Sequence, residues 1–201
     1  MSTQDVKEDT QPQNGFTLSQ IITYLPLGYV YLLALGIVSD TIFYGLIGIN
    51  IISYSTVLDV LLSPLSRIAD SLLFGLIIIG MPIFAYFYMK LIKWTMKKSK
   101  KPIKKNILST ASFPAQVTFF AAFMIFSAFI GFGFGGGSVT KERISSGDLV
   151  LDSQITFQDQ TSIKVDHIGN NSGFIFYVKE GDKHVSVAPI SMNIRSIEKL
   201  N

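Results

Sequence analysis

The chain has 201 residues with a formal net charge of +3, 48% hydrophobic and 15% charged residues, and no cysteine. That composition is skewed away from a wholly soluble chain of this length, and it excludes disulfides and thiolate chemistry. The skew is local: residues 16–39, 41–58, 72–89 and 107–140 carry no charge, and each run is long enough to weigh as a crossing of a hydrocarbon core about 30 Å thick. The charge is local too, because residues 90–105 hold eight lysines and no acid, while residues 1–15 and 40–70 are each net acidic.

In chain order, residues 1–15 are acidic and polar, which predicts a short disordered tail and not a cleaved signal peptide. A first span follows over residues 19–39, opened by Thr17 or Ser19 as a helix cap, with Pro26 in its first turns and Tyr24, Tyr29 and Tyr31 suited to a membrane interface. Residues 41–66 are apolar but contain Asn50, two glycines and several hydroxyls. A third of that run reads as a short helix over residues 55–62 stopped by Pro64. The whole segment is expected to be re-entrant or interface-lying, with an extra span as the alternative.

The next span covers residues 71–93 with Pro82 near its middle, and it runs into the lysine-rich loop of residues 90–105 with Trp94 at headgroup level. The third span covers residues 114–135. In it Ser127, Gly131 and Gly135 recur every fourth residue and make a small-residue stripe fit for close helix packing, either on the protein's own spans or between copies. The glycine-rich run that follows lacks the strand, helix and Lys-Ser/Thr pair of a phosphate loop. Residues 138–146 are therefore expected to form a flexible hinge.

From residue 147 the period changes to strands: DLVLDSQITF, TSIKVDHI, GFIFYVK, KHVSVAPI and NIRSIEKL, with GNNSG and EGD as hairpin turns. Five short strands predict a small all-β domain over residues 147–201, of an SH3-like or Sm-like barrel type. The fold class expected is thus a membrane α-helical part with three transmembrane helices and a possible re-entrant or fourth helix, followed by that β-domain.

Lysines beside span ends are retained on the cytoplasmic side, so Lys97, Lys98, Lys100, Lys101, Lys104 and Lys105 set an expected topology. The lysine loop is cytoplasmic, the β-domain is extracytoplasmic, and the host membrane is a bacterial plasma (inner) membrane. The same lysines suit anionic lipid headgroups. Nucleic acid is not an expected partner, because Trp94 is the loop's one stacking residue. Asp40, Asp59, Arg67 and Asp70 are the ionisable residues of the apolar half outside that loop. They read as membrane-surface markers, or, for Asp59, Arg67 and Asp70, as the mouth of a polar path. Arg67 and Asp70, three residues apart, are spaced to pair on a helix face.

His167 and His184 each stand in a strand without a ligand or triad partner at useful spacing, and Asn170-Asn171-Ser172 is a short glycosylation-type match. No catalytic, metal or cofactor site is expected. The expected function is that of a non-enzymatic multi-pass membrane protein presenting a small β-domain for partner binding or assembly, as a homo-oligomer or within a membrane complex. The alternative is a subunit of an oligomeric channel, pore or membrane-permeabilising effector.

Overall fold

The computed structural model describes residues 18–98 and 112–200, with side chains over residues 22–95 and 112–200. The expected tail at residues 1–15, Lys100, Lys101, Lys104 and Lys105, and the side chains of Lys97 and Lys98 lie outside the described residues.

Four long helices come first: α1 (Leu18–Leu46), α2 (Val57–Asp70), α3 (Leu72–Lys98) and α4 (Phe113–Ser146). Three of them, α1, α3 and α4, are long and apolar enough to cross a membrane. Contacts between α1 and α4 rise together in number. The Tyr31 hydroxyl donates to the Ala122 carbonyl at 2.6 Å, and Ser39 backs onto Gly133 while Phe43 backs onto Gly136 and Gly137. These two helices therefore run parallel. Helix α3 runs the other way along α4, with Phe74 against Phe129 and Phe132, Tyr88 against Phe120, and Tyr86 against Phe113. Leu35, Phe74 and Phe129 form the buried centre of this bundle.

Both α1 and α4 end on a glycine in the left-handed region. Gly48 (φ +86°) and Gly147 (φ +78°) let the chain reverse, so that Ile49 N–H reaches the Tyr44 carbonyl at 2.9 Å and Asp148 N–H reaches the Arg143 carbonyl at 3.1 Å. This is the six-to-one closure that satisfies the last carbonyls of a helix.

Two sequence expectations need correction here. Residues 138–146 are not a hinge but the last turns of α4. Gly136 and Gly137, just before them, are packing positions, since a Cβ at Gly136 would lie 3.3 Å from the Phe43 ring and one at Gly137 2.9 Å from the Phe43 carbonyl oxygen. The short helix stopped by Pro64 is in fact α2, which runs through Pro64 to Asp70. Pro64 has no N–H to offer the Val60 carbonyl four residues back, and that carbonyl is turned onto Gly36 of α1 instead. Residues 41–46 continue α1, a 3-10 turn covers Ile51–Ser53, and no fourth span is present among the described residues.

The carboxy-terminal part is a five-stranded antiparallel sheet of β1 (Ser153–Phe157), β2 (Ser162–Asn170), β3 (Phe174–Lys179), β4 (Ser186–Pro189) and β5 (Ile194–Lys199), in the order β4-β3-β2-β1-β5. The five strands fall where alternation placed them, and GNNSG and EGD are the turns flanking β3. The sheet is not closed into a barrel: β4 and β5 are its two edges, joined by the four-residue turn Ile190–Asn193. One face carries its own core of Ile155, Val165, Ile175, Tyr177, Ala188 and Ile194. Strand β3 is buried on both faces, because Phe174 and Phe176 point away from that core and into the helical part.

Candidate functional site

Where the sheet meets the helices, an aromatic cluster forms first. Phe176 packs against Tyr44 of α1 with ring centroids 5.0 Å apart, and Phe174 packs against Tyr54 at 5.2 Å. Each such pair contributes about 0.5–1.5 kcal/mol beyond the area it buries. Ile49, Ile51 and Ile168 fill in around them. The approach is close enough that a Cβ on Gly169 would lie 2.5 Å from the Tyr44 hydroxyl oxygen, at the point where the β2–β3 register slips.

The β2–β3 turn is tied to the helices by polar groups as well. Asn171 uses its carbonyl oxygen to accept from Gly173 and Phe174 N–H, at 3.0 and 2.8 Å, which shapes the turn. Its amide nitrogen donates to the Tyr54 carbonyl at 3.0 Å. Asp59 closes a capping box with Thr56 at the start of α2. Its carboxylate also accepts from the Ser172 N–H and hydroxyl, each at 3.1 Å. Burial by itself would raise the Asp59 pKa, but the hydrogen bonds from Thr56 and Ser172 outweigh it and hold the carboxyl below its ordinary value.

Between these braces and the body of α2 lies a cleft of about 520 Å³. Its lining is mixed: Ser63, Ser66, Arg67 and Asp70 come from one side of α2, Asp40 from α1, and His167 and Asn170 from β2, among apolar neighbours that include Phe43, Leu62, Phe132 and Phe176. The expected Arg67–Asp70 pair does not form. Arg67 reaches across to Asp40 at 2.5 Å, with its guanidinium over the rings of Phe43 and Phe132 at 5.5 and 5.0 Å, while Asp70 accepts from the Ser66 hydroxyl at 3.2 Å. The delocalised guanidinium is suited to that setting, since it is weakly hydrated and stacks on aromatic faces. Asp59, Arg67 and Asp70 therefore do line one cleft, but each carboxylate there already accepts a hydrogen bond.

A second junction sits at the end of α4. Asp166, buried in β2, accepts from Arg143 at 3.0 Å and from Val150 N–H at 3.2 Å. Burial raises the Asp166 pKa, and Arg143 and the Val150 N–H only partly restore it. Asp152 beside it accepts from His167 N–H at 3.2 Å. His184 stands apart from His167, in a separate cavity of about 500 Å³ with Lys141 and Lys183. Among the described residues no three His, Asp or Glu side chains gather in a way that holds a metal ion.

The small-residue stripe faces outward. Ser127 is exposed and donates to the Phe123 carbonyl of its own helix, and nothing lies within 4 Å of where a Cβ of Gly131 or Gly135 would stand. The stripe that packs α4 on α1 is two residues out of register with it, at Phe129, Gly133 and Gly137.

Sequence reading missed the partners of these groups: Asp40 for Arg67, Ser172 for Asp59, and Tyr44 for Phe176. One signal was present for α2, because Asp59, Ser63, Ser66, Arg67 and Asp70 fall at helical spacing and mark a polar side. Comparison of the chain with protein-family models, curated proteins and solved structures returns no match.

Proposed function

We propose that the chain is a non-enzymatic membrane protein that holds its β-domain at the membrane surface for partner binding or assembly, with the lysine loop cytoplasmic and the β-domain on the opposite side. The observation that carries this reading is the docking of the sheet. Phe174 and Phe176 pack on Tyr54 and Tyr44, and Asn171 and Ser172 bond the segment before α2 and its first turn, so the β-domain is braced against the bundle and not merely tethered to it. A braced domain presents a surface in a fixed orientation, which lowers the ordering cost of binding. The β4–β5 turn supports the same reading, since it holds Met192 at φ +87° and 90% exposed, and flexible thioether side chains suit protein contact surfaces. We read the open sheet as a variant of the small SH3-like type, with β4 and β5 as available edges.

A photo-crosslinking residue at Met192, used in intact membranes, tests the proposal. A discrete adduct that is absent when the probe is moved to the lysine loop is expected, and labelling no stronger than that control removes the partner-binding reading. A second reading, assembly of copies through α4, including as a channel or pore, is favoured by the outward-facing Ser127, Gly131 and Gly135.

A further inference from the structure

Helix α2 divides its circumference into thirds. At about 100° per residue, Val60, Pro64 and Ile68 fall together, Leu58, Leu62, Leu65 and Ala69 fall together, and Asp59, Ser63, Ser66, Arg67 and Asp70 fall together. The first set faces the bundle: the Val60 carbonyl meets Gly36 of α1, Pro64 is fully buried, and Ile68 meets Gly75 of α3. The polar set faces the cleft, and the β2–β3 turn closes over its start through Asp59 and Ser172. The remaining third is apolar and uncovered, with Leu58, Leu62 and Leu65 between 48% and 61% exposed and Leu62 at the rim of the cleft.

The level of α2 says what covers that third. The uncharged run of α3 extends from Leu72, two residues after the last residue of α2, to Met89. At 1.5 Å per residue that run is about 27 Å long, close to a full hydrocarbon core. On α1, Asp40 is the first charged residue after the uncharged run of the span, and it is the residue that pairs with Arg67. Both neighbours therefore put α2 at the boundary between hydrocarbon and headgroups, with its polar third turned toward the β-domain.

We propose that α2 lies along this boundary with Leu58, Leu62 and Leu65 among the acyl chains of one leaflet, so that the cleft of Asp40, Arg67 and Asp70 opens at headgroup depth. The distribution of apolar and polar residues is that of a helix lying in a membrane interface, and the adjoining spans α1 and α3 bring the same lipid to it. This rests on reading α1, α3 and α4 as membrane-crossing.

The test uses the full chain with its single tryptophan removed (Trp94→Phe), reconstituted in vesicles of phosphatidylcholine brominated either near the headgroup end or near the tail end of the acyl chains. Leu62→Trp and Leu65→Trp are expected to lose roughly half their emission to the shallow bromines and much less to the deep ones, with Ser66→Trp clearly less quenched than either. Ile79→Trp in mid-α3 is the control, and it is expected to be quenched by the deep bromines. Failure of the control overturns the membrane-crossing reading itself. A quenched control with Leu62→Trp and Leu65→Trp no more quenched than Ser66→Trp overturns the placement of α2 and shows its apolar third covered by protein, a second copy included.

Discussion

Arg67 of α2 and Asp40 of α1 form an ion pair at 2.5 Å with side chains only 15% and 11% exposed, roofed by the rings of Phe43 and Phe132. Ions so placed are held by each other, and removing one leaves its partner mostly buried without a counter-charge. Asp40→Leu or Arg67→Met alone is expected to cost about 3 kcal/mol or more. The double replacement Asp40→Leu with Arg67→Met is expected to recover most of that, because no lone charge remains. Thermal unfolding of the detergent-extracted protein in a double-mutant cycle measures both. Additive losses would show that the two side chains do not depend on one another.

The contact between Gly36 and the Val60 carbonyl makes a sharper demand on a single atom. A Cβ at Gly36 would stand 2.0 Å from that oxygen, so the hydrogen now there points at a carbonyl that Pro64 cannot serve. Gly36→Ala is expected to push α2 off α1 and to lose about 3 kcal/mol, at the upper end of overpacking costs. Gly28→Ala, in the same helix with nothing within 4 Å, is expected to be neutral or slightly stabilising. Equal behaviour of the two variants in unfolding would contradict the packing.

Much of this architecture was legible in the sequence, and the failures have physical causes. The three long apolar helices and five strands were readable because hydropathy and alternation are local signals. Helix α1 looked as if it stopped before Asp40, and it continues to Leu46 because the counter-ion that lets Asp40 sit in it lies 27 positions away. Pro64 looked like a stop because its cost is offset by a glycine on another helix. Gly136 and Gly137 looked like a hinge because a sequence does not distinguish a glycine needed for motion from one needed for close approach. The cleft was half readable, as the polar side of α2. Its other wall was not, since Asn171 and Tyr54 meet across 117 positions.

The outward face of α4 separates folding from association. Gly131→Leu meets open space, so its unfolding temperature is expected to match the parent's, with a stability change within about 0.5 kcal/mol. Gly137→Leu drives a side chain into Leu46 and the Phe43 carbonyl and is expected to cost about 3 kcal/mol. If copies assemble through Ser127, Gly131 and Gly135, Gly131→Leu alone lowers the particle mass measured in detergent while leaving the fold intact. An unchanged mass for Gly131→Leu removes that surface from any assembly.

Asp59 and Asp166 titrate in opposite senses, which gives the acid limb of stability two separable parts. Asp59 is held below the ordinary carboxylate value in the folded chain, so its contribution is present above that value and is lost as pH falls through the lower folded one. Asp166 is raised by burial, so the folded chain holds a proton more readily than the unfolded chain. Stability from this group therefore declines as pH rises from the ordinary carboxylate value through the raised one, and is level above it. In unfolding temperatures recorded against pH, Asp59→Asn is expected to fall below the parent at neutral pH and to converge with it in acid. Asp166→Asn is expected to diverge the other way, the parent gaining relative to the variant as pH falls through the raised value of Asp166. Parallel curves for Asp59→Asn would mean that the Ser172 bridge does not depend on the carboxylate's charge. Parallel curves for Asp166→Asn would mean that Arg143 balances its burial in full.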